Sequence, residues 1–174
     1  MDYITRPTSK KALRIMAREL RTYCEVPQHG PFPTLFILDR LRDLFPGSNY
    51  DLLPDDKFPK KTMARCKPNN RGGYTIEIRE SVYDRARHER GPDLGFICHE
   101  ICHIFLFSKG FTPIFERSLK TRSIHAYRSV EWQAKYLCGE VMIPYKESIG
   151  MSMQKIIDYY HVSKSYAKSR IEMN

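Results

Sequence analysis

Two histidines and a glutamate in this chain have a spacing that can bind a metal ion and activate water. Residues 99–103 read His-Glu-Ile-Cys-His. On an α-helix, positions four apart lie on one face, only about 40° apart around the axis, so His99 and His103 can share one ion. Glu100 lies at the edge of that face and can accept a proton from a water molecule that zinc has made more acidic. The pattern therefore predicts a zinc-dependent endopeptidase with Glu100 as general base.

A catalytic zinc site needs a third protein ligand and one open position. We expect Glu131, on a helix predicted over residues 127–142, to complete the set with His99 and His103. Glu131 begins an apolar stripe, where an unpaired carboxylate would be costly to bury. The alternative is a glutamate that is favoured in the first turn by the helix dipole, and the residues alone leave both readings open. Glu116, in a loop, and Glu140, toward the opposite face, are weaker candidates.

Other polar and thiol side chains lie near these residues. His125 or Tyr127 is the first candidate for stabilising an oxyanion during attack, although each has an ordinary structural role as its alternative. Cys98 and Cys102 precede the two histidines, but each is turned about 100° from its neighbour, so all four cannot face one tetrahedral ion. With five cysteines and no apparent secretory signal, we expect reduced, mostly buried thiols.

The elements that must position these residues follow from apolar spacing and turn residues. We predict helices over residues 9–24, 34–45, 81–90, 93–107, 127–142, 152–160 and 164–172, a hairpin of strands 62–66 and 74–79, and loops over 49–61 and 108–124. The expected fold is α+β, with a small antiparallel β-sheet packed against helices, a zincin-like active helix and a helical C-terminus. We expect a single domain, comprising an N-terminal helical part (1–60), a catalytic core (61–144) and a C-terminal helix pair (145–174).

Two blocks of the sequence resemble the ImmA/IrrE family of metallo-endopeptidases. Residues 94–103, Leu-Gly-Phe-Ile-Cys-His-Glu-Ile-Cys-His, are similar to the family's F-T-L-A-H-E-L-G-H. Residues 131–144 are similar to its E-x-x-A-N-x-F-A-A-x-L-L-M-P, with matches at Glu131, Ala134, Val141, Met142 and Pro144. The resemblance covers roughly residues 74–172. It implies metal ligands at His99, His103 and Glu131, a catalytic acid at Glu100, and cleavage of a DNA-binding repressor, as in prophages and other mobile elements.

Two positions depart from the family pattern. Cys102 replaces the glycine before the second histidine, and Lys135 replaces the Asn or Asp that often follows the ligand glutamate by four residues. Such a residue can orient a ligand histidine from behind. Its loss keeps open whether the chain is proteolytically active.

Charge and hydropathy limit the partners of the chain. The 29 Lys and Arg residues exceed the 20 Asp and Glu residues, giving a net charge of +9 that favours an acidic partner or substrate, or nucleic acid. The helix pair over 152–172 could touch DNA, but such pairs are common in helical domains, so direct DNA contact is not the first expectation. The family resemblance implies a protein substrate, a helix-turn-helix repressor. Without a long apolar run or a signal segment, we expect a cytoplasmic protein and no membrane partner. The alternative function is a non-proteolytic, zinc-containing module that binds a repressor or DNA.

Overall fold

The computed structural model describes residues 2–114 and 124–172. Within these ranges the chain forms nine α-helices and three β-strands, which confirms the α+β class. The helices are α1 (Lys10–Tyr23), α2 (Thr34–Asp39), α3 (Leu41–Leu44), α4 (Glu80–Arg87), α5 (Gly91–Ser108), α6 (Val130–Met142), α7 (Tyr145–Ser148), α8 (Met153–Tyr160) and α9 (Lys164–Glu172). The strands are β1 (Asn49–Leu53), β2 (Ala64–Pro68) and β3 (Tyr74–Arg79).

The sheet is mixed, with strand order β1-β3-β2. β2 and β3 form the predicted antiparallel hairpin, and Asn69 organises its turn by accepting hydrogen bonds from the backbone N–H groups of Arg71 and Gly73. The prediction of a wholly antiparallel sheet was wrong, because β1 pairs with β3 in parallel. β1 lies in the segment predicted as a loop. Its residues, Asn-Tyr-Asp-Leu-Leu, lack clear alternation, so long-range pairing rather than local pattern makes it a strand.

The core is organised around α5, which packs against α6 on one side and against β2 and β3 on another. α5 is apolar around most of its circumference, and its isoleucines Ile97 and Ile101 are fully buried. α1 packs on α6. The motif helix therefore lies between the sheet and a second helix, and its backbone is held from both sides.

Several helix details differ from the sequence-based expectation. The segment after Thr34 breaks into α2 and α3 at Arg40. Asp93 is not the cap of α5, which begins two residues earlier, at Gly91. It lies buried in the first turn and forms ion pairs with Arg85 (2.8 Å) and Arg90 (3.4 Å). These ion pairs neutralise a carboxylate that the helix dipole also favours.

Two arginines, on the helices α1 and α9, are buried. Arg21 of α1 is 1% exposed and donates to the carbonyl groups of Val141, Pro27 and Gly30. Arg170 of α9 is also 1% exposed, and its guanidinium forms an ion pair with Glu140. Arg170 is therefore unavailable to DNA. Among the described residues, no helix combines the length and apolar character needed to cross a bilayer.

Candidate metal centre

Three side chains from α5 and α6 converge at the surface where the two helices pack. His99 and His103 lie one turn apart on α5, and their Nε2 atoms are 3.1 Å apart. Glu131, in the first turn of α6, places Oε2 3.3 Å from Nε2 of His99 and Oε1 3.5 Å from Nε2 of His103. One ligand atom from each residue lies within 4.8 Å of the other two, so the group could hold a metal ion.

The start of α6 is fixed by the N-terminal segment of the chain. Ser129 caps the helix by accepting a hydrogen bond from the backbone N–H of Trp132, and its own hydroxyl donates to Asp2. The other Asp2 oxygen accepts from the backbone N–H of Glu131 at 3.2 Å. Ile4 forms isolated β-bridges with Ser129 and Ile114. The two hydrogen bonds to Asp2, which we call the Asp2 clamp, were not predicted from the sequence. No residue near Asp2 in the chain indicates that it binds the start of α6.

The electrostatics of the group favour an anionic glutamate beside the histidines. Hydrogen bonds with His103 and His99 hold the pKa of the Glu131 carboxyl far below its usual range. Burial lowers the pKa of His99, but the hydrogen bond with Glu131 and the charge of Glu100 outweigh burial and leave that pKa raised. Two ring nitrogens as close as those of His99 and His103 need a shared proton or a shared cation between them. Two imidazoles and one carboxylate are a donor set that fits a divalent cation.

Glu100 lies beside this group without belonging to it. Its carboxyl lies near Cys66 of β2, whose backbone N–H favours the ionised form of the carboxyl. Burial raises the pKa of Glu100, and the charges of His99 and His103 only partly offset that effect. β2 is an edge of the sheet, paired only with β3 within the described ranges. Glu100 is thus held between the motif helix and an edge strand, next to both histidines.

The group is open to solvent on one side. The Glu131 side chain is 51% exposed, whereas that of His103 is 6% exposed. A groove of about 640 Å³ extends from His99 between α5, α6 and α9. Its lining combines aromatic rings with two lysines and includes Phe96, Trp132, Tyr136, Tyr166, Lys10 and Lys135. Structural metal sites are normally closed, so this openness is the arrangement of a site that admits a further ligand.

The remaining candidates from the sequence lie elsewhere or are differently engaged. His125 and Tyr127 precede α6, are exposed, and stack on each other with centroids 5.4 Å apart. Neither makes a described hydrogen bond or ion pair with the three converging side chains, so their catalytic role stays a prediction. Glu140 is buried in ion pairs with Arg14 (3.2 Å) and Arg170 (3.1 Å). Glu116 lies outside the described residues.

Neither Lys135 nor another described residue forms a hydrogen bond with the buried ring nitrogen of His103. Lys135 is exposed on α6 and forms no ion pair within residues 2–114 and 124–172. The buried Nδ1 of His103 has no hydrogen-bond partner among the described residues. The ring of Phe107 stacks on His103, with the two centroids 5.6 Å apart. Among the described residues, no hydrogen-bonding group therefore fixes the far nitrogen of His103.

Comparisons with known proteins identify a similar fold. No protein-family model and no curated protein matches the chain. The structure is similar to that of a Mycobacterium tuberculosis transcriptional regulator, with a TM-score of 0.62 and 14% sequence identity. The similarity covers 93% of this chain and 46% of the regulator, so this chain spans about half the length of that protein. At this identity the likeness shows a shared fold alone.

Proposed function

We propose that this chain is a zinc-dependent endopeptidase of the ImmA/IrrE type, with zinc held by His99, His103 and Glu131. The observation that carries the proposal is the open arrangement of this ligand set beside a carboxylate that is not needed as a ligand, Glu100. A purely structural zinc site is closed and has no use for a base at its edge. The resemblance of the two sequence blocks to the family supports the same assignment.

The roles of the protein residues follow from their positions. Bound zinc would supply Lewis-acid chemistry, polarising a peptide carbonyl and lowering the pKa of a nearby water molecule. Glu100 would accept the proton of the attacking water at its carboxylate and return it to the nitrogen of the leaving amine. The Cys66 N–H would favour the ionised Glu100 carboxylate, and the edge of β2 would take an extended substrate segment by adding a strand.

The proposed substrate is a DNA-binding repressor. The family resemblance implies this class of substrate, and the structurally similar protein is itself a transcriptional regulator. Lys10 and Lys135 line the groove next to His99 and form no ion pairs with described carboxylates, so the groove favours an acidic or aromatic segment.

A second candidate function is a metal-containing regulator that binds a repressor or DNA without cutting it. Two observations favour it: the unpartnered Nδ1 of His103, and the fold shared with a transcriptional regulator. In this second function, the metal would stabilise the packing of α5 against α6, and Glu100 would have no chemical role.

Co-expression with candidate repressors separates the two functions. Glu100→Gln preserves the shape of the side chain and the zinc ligands but removes the base. General-base catalysis contributes about 100- to 10,000-fold to a rate, so fragments of the repressor should disappear from the gel while zinc content and repressor binding persist. A chelator should also prevent cleavage by the wild-type protein. If wild type and Glu100→Gln relieve repression equally and neither produces fragments, the protein acts by binding.

A further inference from the structure

A second cluster of potential metal ligands lies inside the protein, on the faces of α5 and α6 that turn away from the histidines. Cys98 and Cys102 of α5 and Cys138 of α6 have no exposed surface. Their three sulfur atoms lie within 4.8 Å of one another. Three sulfurs bound to one ion at about 2.3 Å lie roughly 4 Å apart, so small side-chain adjustments would bring these thiols to a common ion.

The surroundings of the cluster suit a negatively charged metal–thiolate group. The Tyr166 hydroxyl donates a hydrogen bond to Sγ of Cys138 at 3.3 Å. The buried Arg21 guanidinium bonds to backbone carbonyl groups, forms no ion pair within the described ranges, and lies close enough to Cys98 for their charges to interact. An unpaired buried cation is costly. A divalent ion with three thiolates carries one net negative charge, which would balance Arg21.

The ring of Tyr166 separates the cysteine cluster from the groove beside His99. Gly95 and Gly139, which line that groove, leave room for the ring of Tyr166 against the helix backbones. A Cβ atom at Gly95 would lie 3.0 Å from Cε2 of Tyr166, and one at Gly139 would lie 3.7 Å from the same ring. The ring therefore spans from the groove to Cys138, and it covers the thiols on the groove side.

We propose that Cys98, Cys102 and Cys138 form a second metal site, selective for thiophilic divalent ions of the zinc and cadmium class. Soft thiolates prefer such ions over magnesium, calcium or manganese. Binding forms three metal–sulfur bonds and releases the three thiol protons to solvent. Since Cys98 and Cys102 directly precede His99 and His103, an ion in this site would also fix the turns of α5 that present the two histidines.

Cadmium titration of the reduced, chelator-treated protein tests the site, because cadmium–thiolate bonds produce an ultraviolet charge-transfer absorption that imidazole and carboxylate ligands lack. Wild type should bind two equivalents, one of them with this absorption. Cys138→Ala should lose the absorption and one equivalent, whereas His99→Ala should keep the absorption. Cys24→Ala, which removes another buried thiol, is the matched control and should retain both equivalents. An absorption that is absent from wild type, or unchanged in Cys138→Ala, would show that the three cysteines are ordinary core side chains.

A measurement on the unsubstituted protein covers the case in which Cys138→Ala fails to fold. X-ray absorption at the cadmium edge counts sulfur neighbours directly. Sulfur neighbours in wild type that persist in Cys24→Ala and Cys66→Ala support the site. A spectrum with only nitrogen and oxygen neighbours overturns it, whatever the outcome for peptidase activity.

Discussion

Asp2 and Glu131 are 129 residues apart in sequence, yet the Asp2 carboxylate accepts a hydrogen bond from the backbone N–H of Glu131 at 3.2 Å. The other oxygen of Asp2 binds the hydroxyl of Ser129, the cap of α6. A negative charge at a helix N-terminus is favoured by the helix dipole and by the free N–H groups of the first turn. The third candidate ligand is therefore positioned by the beginning of the chain.

Removing the Asp2 clamp should destabilise the protein and weaken metal binding. Asp2→Ala should lower the stability of the protein by about 1 kcal/mol, the usual value of a lost helix cap, and should also weaken metal binding because the Glu131 backbone is less fixed. Thermal unfolding and zinc competition titration measure the two effects. Asp56→Ala, which removes another exposed aspartate, is the control. If Asp2→Ala reduces stability but leaves zinc affinity unchanged, Asp2 caps the helix and does not position the Glu131 ligand.

The ligand assignment predicts a specific pattern of metal content. The purified protein should carry about one zinc per chain at the histidine site. Loss of a group that merely orients a ligand costs about 10- to 100-fold in affinity, so His99→Ala, His103→Ala or Glu131→Ala should cost more than roughly 100-fold. Elemental analysis after dialysis against a weak chelator compares each variant with wild type, because loss of the histidine site removes one equivalent whether or not the cysteine cluster holds another ion. Glu100→Gln should keep the wild-type content.

A comparison of two glutamate variants tests whether Glu131 is the third ligand. Glu131→Ala should lose one equivalent of zinc relative to wild type, while Glu140→Ala should keep it as long as the variant stays folded, because Glu140 is engaged with Arg14 and Arg170. Full zinc in Glu131→Ala, together with loss in Glu116→Ala or Glu140→Ala, would move the third ligand to that other residue.

Replacing Lys135 with an acidic residue should increase the affinity for zinc. Lys135 lines the groove with His99, where the family pattern has an Asn or Asp that can orient a histidine. Lys135→Asp should therefore raise zinc affinity by about tenfold, and Lys135→Ala by less, since it only removes a positive charge. Lys11→Asp makes the same charge change on the exposed surface of α1 and should have little effect. Equal gains for Lys135→Asp and Lys135→Ala would mean that charge repulsion, not orientation, accounts for the effect.

The buried ion pair between Arg170 and Glu140 should contribute to stability. Arg170→Met leaves Glu140 with only Arg14 and removes the hydrogen bond to the Ile143 carbonyl. Breaking a buried pair from one side costs about 3–5 kcal/mol, and we expect the lower end because Arg14 remains. Lys168→Met, at an exposed position of the same helix, should change stability by about 0.5 kcal/mol or less. Denaturant unfolding compares the two, and similar midpoints would contradict the expected role of the pair.

Most of the candidate centre could be predicted from the sequence because its geometry is local. His99, Glu100 and His103 lie within about one turn of a helix, where a spacing of four residues fixes a shared face. The alternation of β3 and the turn residues after β2 likewise predict the hairpin. Glu131 was predicted as a ligand from its helical position and the family resemblance, and its convergence with the histidines needed the packing of α5 on α6.

The features that the sequence could not show all depend on contacts between distant segments. β1 has no clear strand pattern and becomes a strand only by pairing with β3. Arg21 and Arg170 look like surface residues along their own helices, and they are buried because carbonyl groups and Glu140 from other elements bind them. Long-range packing also brings Cys138 close to Cys98 and Cys102. It likewise places Asp2 against the backbone of Glu131. A helix or hairpin is specified by neighbours within a few residues, whereas these contacts form only when the completed core brings separate surfaces together.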